Sequence, residues 1–155
     1  MADSPPSKRR RANQQSGEDG SAHESSLSPL VVFAHGAGAP STSDWMIRWK
    51  EMLGKALNAV EVVTFDYPYL SGGKKRAPPK AEKLVDFHAD VVKKAAAKYP
   101  GHPLILVGKS MGSRVSCMVA SQKDISALAI ICLGYPLKGS KDGLCPLDKL
   151  EAVRK

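Results

Sequence analysis

Gly108-Lys109-Ser110-Met111-Gly112 is a GxSxG run, a serine hydroxyl set between glycines two residues to either side. A serine on a sharp strand-to-helix turn presents its Oγ as a nucleophile. The flanking glycines remove side chains that would collide where strand and helix meet. The chemistry such a serine serves is acyl transfer, in which Oγ attacks an ester, thioester or amide carbonyl and backbone N–H groups hold the developing oxyanion. The amide of Met111, at the positive end of the following helix, supplies one of those donors. Two other readings compete for the same residues. An ordinary βα turn would use Ser110 only as a helix cap. A phosphate loop also ends in GKS, but it needs a glycine where Pro103 stands and a flexible loop where Leu104 to Val107 form an apolar run, so nucleotide binding is set aside.

The elements required around such a serine are present in order. Leu104 to Val107 reads as a buried parallel strand, and Met111, Val115, Met118 and Val119 fall on one face of a helix after Ser110. Leu30 to Ala34 is a second buried strand that runs into the glycine loop His35-Gly36-Ala37-Gly38-Ala39-Pro40. A loop of this kind provides the second oxyanion amide, here from Gly36 or Ala37. His35 is expected to hold the loop by hydrogen bonds to backbone rather than to act as a base. Ser41 and Ser43 offer caps to a helix with Trp45, Trp49, Met52, Leu53 and Ala56 on its apolar stripe and Asn58 at its end; the tryptophans are expected in the core.

Val60 to Phe65 is the next strand, and Asp66, Tyr67 and Tyr69 leave its carboxyl end, the edge where open α/β sheets place ligands. Asp66, Tyr67 and Tyr69, with His35 and Lys109, are the candidate pocket residues. Ser71 to Pro79 is a basic loop expected near the site mouth. Lys80 to Tyr99 is a long helix in which His88 is a partly buried packing residue, and Ala127 to Leu133 is a fourth strand. Alternating strands and helices predict an α/β fold, a three-layer α/β/α sandwich around a parallel sheet.

At 155 residues the chain holds one domain, expected over 29–155 after a polar, disordered tail over 1–28. The net charge of +8 does not come from that tail, where four basic residues meet four acidic ones. The dense basic cluster is Lys74, Lys75, Arg76 and Lys80, without interleaved aromatics, so no nucleic-acid partner is expected. Cys117, Cys132 and Cys145 lack metal-ligand spacing and imply neither a disulfide framework nor a metal, and no cofactor is expected. No apolar run is long enough to span a bilayer and no secretory h-region precedes Leu30, so the expectation is a soluble chain of the cytosol or nucleus with no membrane partner. Lys8 to Arg11 reads as a solvated run more readily than as an import signal.

Phe33 to Gly38, Phe65 to Tyr69, Gly108 to Arg114 and Gly134 to Leu137 together resemble the α/β-hydrolase superfamily. Within it they are most similar to the group of testis-expressed hydrolase-like proteins and the hydrolase-like subunit of the NSL histone-acetyltransferase complex, near the dienelactone-hydrolase-like esterases. The resemblance implies Ser110 as nucleophile, Met111 and Gly36 or Ala37 as oxyanion donors, and a strand order with Val60 to Phe65 outside Leu30 to Ala34, then the elbow strand, then Ala127 to Leu133. It also implies an acid and then a histidine after the serine. Here His23, His35, His88 and His102 all precede Ser110, and only acids such as Asp124, Asp142, Asp148 and Glu151 follow it. Two expectations stay open. One is a serine hydrolase shortened after its fourth strand and impaired for want of a base. The other is a non-catalytic interaction module of a protein complex, with the last strand's edge free to pair with another chain.

Overall fold

The computed structural model describes residues 27–139 and 143–144. A four-stranded parallel sheet runs in the order β2 (Glu61–Phe65), β1 (Leu30–Ala34), β3 (Leu104–Lys109) and β4 (Ala129–Leu133). The strands form where apolar, β-branched runs are stopped by glycine or proline, and this is the order implied by the resemblance. β1 is central and wholly buried, as a strand covered on both faces must be.

Alternate residues of β1 feed two cores. Leu30, Val32 and Ala34 pack with α2 (Val85–Lys98) and α3 (Met111–Ala120), whereas Val31 and Phe33 pack with α1 (Asp44–Ala56). The result is the expected three-layer sandwich. Among the described residues no helix is long and apolar enough to cross a membrane.

The helices depart from expectation in two places. The buried stripe of α1 is carried by Met46 and Leu53, while Met52 is half exposed and Trp45 and Trp49 lie partly covered at the side of the core. Both stripes satisfy the helical period, and the face of the sheet selects between them. The long helix expected from Lys80 opens instead with a 3-10 turn, Ala81–Leu84, before α2 begins at Val85. As expected, the Ser43 side chain caps α1 by accepting from the Met46 amide, and Asn58 leaves the helix with φ 47°.

β4 begins at Ala129, two residues later than expected, and its Ala129 and Cys132 side chains are exposed. A short antiparallel pair, β5 (Lys138–Gly139) with β6 (Gly143–Leu144), follows. Residues 1–26, including Lys8 to Arg11, lie outside the described residues, as do Asp142, Cys145, Asp148 and Glu151.

Candidate active site

Ser110 stands between β3 and α3 with φ 51° and ψ −114°, a conformation that a residue with a Cβ adopts only at a cost of about 1–3 kcal/mol. An ordinary capping serine has extended dihedrals and an Oγ that accepts from the helix. Ser110 has neither: its side chain makes no capping hydrogen bond. Its backbone is pinned on both sides, the amide donating to Leu133 O at 2.9 Å and the carbonyl accepting from the Ser113 amide at 2.9 Å.

The two glycines explain how strand and helix approach so closely. A Cβ on Gly108 would fall within the backbone of Gly112 and Ser113, and one on Gly112 would lie 2.5 Å from the His35 carbonyl oxygen. Ser113, buried on α3, donates back to the Gly108 carbonyl at 2.5 Å. Arg114 donates to the Pro136 carbonyl at 2.7 Å, tying α3 to the segment after β4.

The loop after β1 comes up against the serine. A Cβ on Gly36 would sit 3.6 Å from Ser110 Cβ. His35 is fully buried and both ring nitrogens are engaged: Tyr67 N–H donates to Nε2 at 3.0 Å, so Nδ1 carries the proton and donates to Gly36 O at 2.6 Å. Burial lowers the His35 pKa, keeping it neutral in this tautomer. It holds the loop, as its place in the chain predicts.

Tyr69 braces the same loop from behind, its hydroxyl donating to Ala37 O at 3.0 Å. A trans peptide points its C=O and N–H in opposite directions. With Gly36 O turned toward His35 and Ala37 O toward Tyr69, the Ala37 and Gly38 amides point away from that aromatic wall. Tyr67 and Tyr69 are buried in this wall, and burial raises both phenol pKa values, that of Tyr69 to about 12. Behind them His88 is wholly rather than partly buried, with Nδ1 3.1 Å from the Tyr67 hydroxyl and Nε2 without a hydrogen-bond partner among the described residues.

A cleft of about 760 Å³ opens between the loops after β1 and β2, lined by Ala37, Gly38, Pro40, Thr42, Asp66, Leu70 and residues 72–78. Of the pocket residues expected from sequence only Asp66 lines it, with Oδ1 accepting from the Ser41 amide at 2.7 Å. His35, Tyr67 and Tyr69 form the wall instead, and Lys109 lies with Nζ 4.0 Å from the ring centre of Trp45. The basic loop, expected only near the mouth, makes one side of the cleft. Among the described residues no cluster of His, Cys, Asp or Glu is arranged to hold a metal.

No other described histidine can serve Ser110. His102 precedes β3, at the strand end opposite the serine, with Nδ1 2.7 Å from Ser28 O. Asp124 is paired with Lys93 on the exposed surface at 2.5 Å.

Next to the elbow, Cys132 of β4 is in register with Gly108, and its Sγ lies 3.8 Å from that of Cys117. Hydrogen bonding from Cys117 lowers the Cys132 pKa to about 7. Alkylation of the Cys132 peptide by iodoacetamide, followed by mass spectrometry, should reach half its plateau rate near pH 7 instead of about 8.5 for an unperturbed thiol. A midpoint at or above 8 would show that the hydrogen bond does not hold in solution.

The family model of the alpha/beta hydrolase domain matches residues 28–154. Among solved structures, a protein of the alpha/beta hydrolase superfamily from Xanthomonas campestris pv. campestris superposes with a TM-score of 0.55 at 16% identity, over 75% of this chain and 64% of that one. A lipase-esterase related protein from Clostridium acetobutylicum gives 0.56 at 19% identity, over 74% of this chain and 45% of that one. Alpha/beta hydrolase domain-containing protein 10 from mouse gives 0.54 at 18%, over 74% and 44% respectively. The chain therefore spans less than two thirds of the length of each of these structures, and at such identities the likeness is one of fold. No curated protein sequence matches this chain.

Proposed function

Because the chain belongs to the alpha/beta hydrolase domain family, we propose that Ser110 is a nucleophile and that the site serves hydrolysis of an ester, thioester or amide through an acyl-enzyme. The observation that supports this most is the Ser110 backbone, strained at φ 51° and ψ −114° with its hydroxyl left out of helix capping. Strain of that kind persists only where the surroundings enforce it, and here it falls at the carboxyl edge of the sheet, where α/β proteins place their ligands. Oγ adds to the acyl carbon and the oxyanion is received by the Met111 amide and by an amide of the Gly36 and Ala37 loop.

Attack also requires that Oγ lose its proton, and no described histidine is placed to take it. Turnover by these 155 residues is therefore expected to fall several orders of magnitude below that of a complete triad, leaving what binding and the oxyanion donors supply. A fluorophosphonate probe should form an adduct at Ser110 slowly, faster with added imidazole, and Ser110→Ala should abolish it. A folded protein that takes up no label with or without imidazole overturns the reading. Ser110→Gly should likewise end labelling while gaining about 1 kcal/mol in urea unfolding, because glycine adopts φ 51° without strain. Ser110→Ala, which keeps the Cβ, should gain nothing.

The exposed Ala129 and Cys132 side chains of β4, the outermost strand of the sheet among the described residues, favour a second reading: a non-catalytic module that pairs with a protein partner along that strand. Partner retention by Ser110→Ala, with no labelling of the unaltered chain, would favour it. The four motif segments further support membership of the testis-expressed and NSL-complex hydrolase-like group, and with it a place in cytosol or nucleus.

A further inference from the structure

We propose that the cleft beside the Gly36–Ala37 loop binds the anionic end of a small acyl ester or thioester, so that the substrate carries a carboxylate or phosphate on an apolar arm. This rests on the reading of Ser110 as the nucleophile, since it assigns the cleft to that site's substrate. The two loops that form it leave the carboxyl ends of β1 and β2, adjacent parallel strands of the sheet from whose same edge Ser110 leaves β3. Ala37 and Gly38 belong to both features: they line the cleft, and they continue the loop that touches Ser110 through Gly36.

The lining is divided in character. Leu70, Pro40, Ala77 and Pro78 are apolar, whereas Lys74, Lys75 and Arg76 are three successive cations on an exposed stretch. The acid in the lining is Asp66, and one of its oxygens is already occupied by the Ser41 amide. Among the described residues the ion pairs are Lys93 with Asp124 and Lys94 with Asp90, so Lys74, Lys75 and Arg76, like most of the other cations, have no acid neutralising them. A concave, partly apolar site with an excess of one sign of charge concentrates ligands of the opposite sign. Its volume of about 760 Å³ is that of a small-molecule site, too small for a folded partner.

Glycine builds the cationic side. Gly72 and Gly73 both have positive φ, 67° and 76°, and a Cβ on either would meet nothing within 4 Å, so they serve the turn itself rather than a close packing contact. That turn sends residues 74–76 along the cleft.

The test is calorimetric titration of the 155-residue chain at low salt with n-hexyl phosphate, hexanoate, hexanol and hexyltrimethylammonium. The two anions should bind at least about tenfold more tightly than the alcohol and the cation, with the difference shrinking as ionic strength rises. Phosphate tighter than carboxylate by more than its extra charge explains would identify the head group. The Lys74→Ala/Lys75→Ala/Arg76→Ala variant, which alters exposed residues, should lose that preference, and Ser110→Ala should keep it. Equal binding of alcohol and anion, or no loss in the triple variant, overturns the proposal. So does a single-stranded oligonucleotide that binds more tightly than hexyl phosphate through the same cations. Because binding needs no nucleophile, a failed fluorophosphonate reaction with anion binding intact tells against Ser110 alone.

Discussion

Gly108→Ala should leave little folded protein. The added Cβ would overlap the backbone carbonyl and amide of Gly112 and Ser113, and no flexible side chain is there to give way. Relief requires moving the first turn of α3 away from β3, and α3 is held on the sheet by Val115 and Val119, both fully buried. Overlaps of this kind cost more than the 1–3 kcal/mol of ordinary overpacking, which is a large share of the stability of a domain this size. In urea unfolding followed by circular dichroism the variant should lose at least about 3 kcal/mol or fail to fold. Gly38→Ala is the control: a Cβ there meets nothing within 4 Å, and its stability should stay within about 0.5 kcal/mol of the parent. Equal stability of the two variants would mean that strand and helix are not as closely apposed as described.

Acidification should weaken the fold well before the carboxylates titrate. His88 is wholly buried against Tyr67 and Phe65, and desolvation, with a smaller contribution from the nearby His35, lowers its pKa from 6.5 to about 3. Between those values the unfolded chain binds a proton that the folded chain refuses, so stability is fully present above about pH 6.5 and is lost as pH falls toward 3. At pH 5 this one residue should remove about 2 kcal/mol relative to pH 7.5, and His35, shifted in the same direction, adds to it. His88→Gln, which does not titrate, should start from a lower stability because its fit against Tyr67 is poorer, but its stability should change less between pH 7.5 and 5. The measurement is the urea midpoint across that range. An unaltered chain whose midpoint does not move would mean that His88 is protonated in the fold.

Much of the scaffold could be read from the chain because its signals are local. An apolar run stopped by glycine, as at Leu104 to Gly108 or Leu30 to Gly36, makes a buried strand with a tight exit wherever the rest of the chain lies. The glycine spacing around Ser110 likewise carries the elbow, since it records which side chains must be missing. The role of His35 also followed from position, a histidine at the head of a glycine loop. For α1 the local signal was ambiguous: the expected stripe and the buried face share Leu53, and only the face offered by Val31, Phe33 and Val62 decided for Met46 over Met52.

What no window of sequence contains is the set of contacts between distant segments. His88 and Tyr67 meet in the interior although each sits in a separate element, and neither has a spacing that announces the pair. The cleft arises because the loops after β1 and β2 are brought side by side by parallel pairing of strands some thirty residues apart, so its cations looked like a solvated run until the sheet supplied the opposite wall. The sequence by itself determined the strands and the sharp turn at Ser110, because these depend on residue type and neighbours along the chain. Tertiary structure alone decided which groups face the serine, which tyrosines are walls rather than lining, and where the positive charge collects. Those depend on distances across the sheet, which periodicity does not encode.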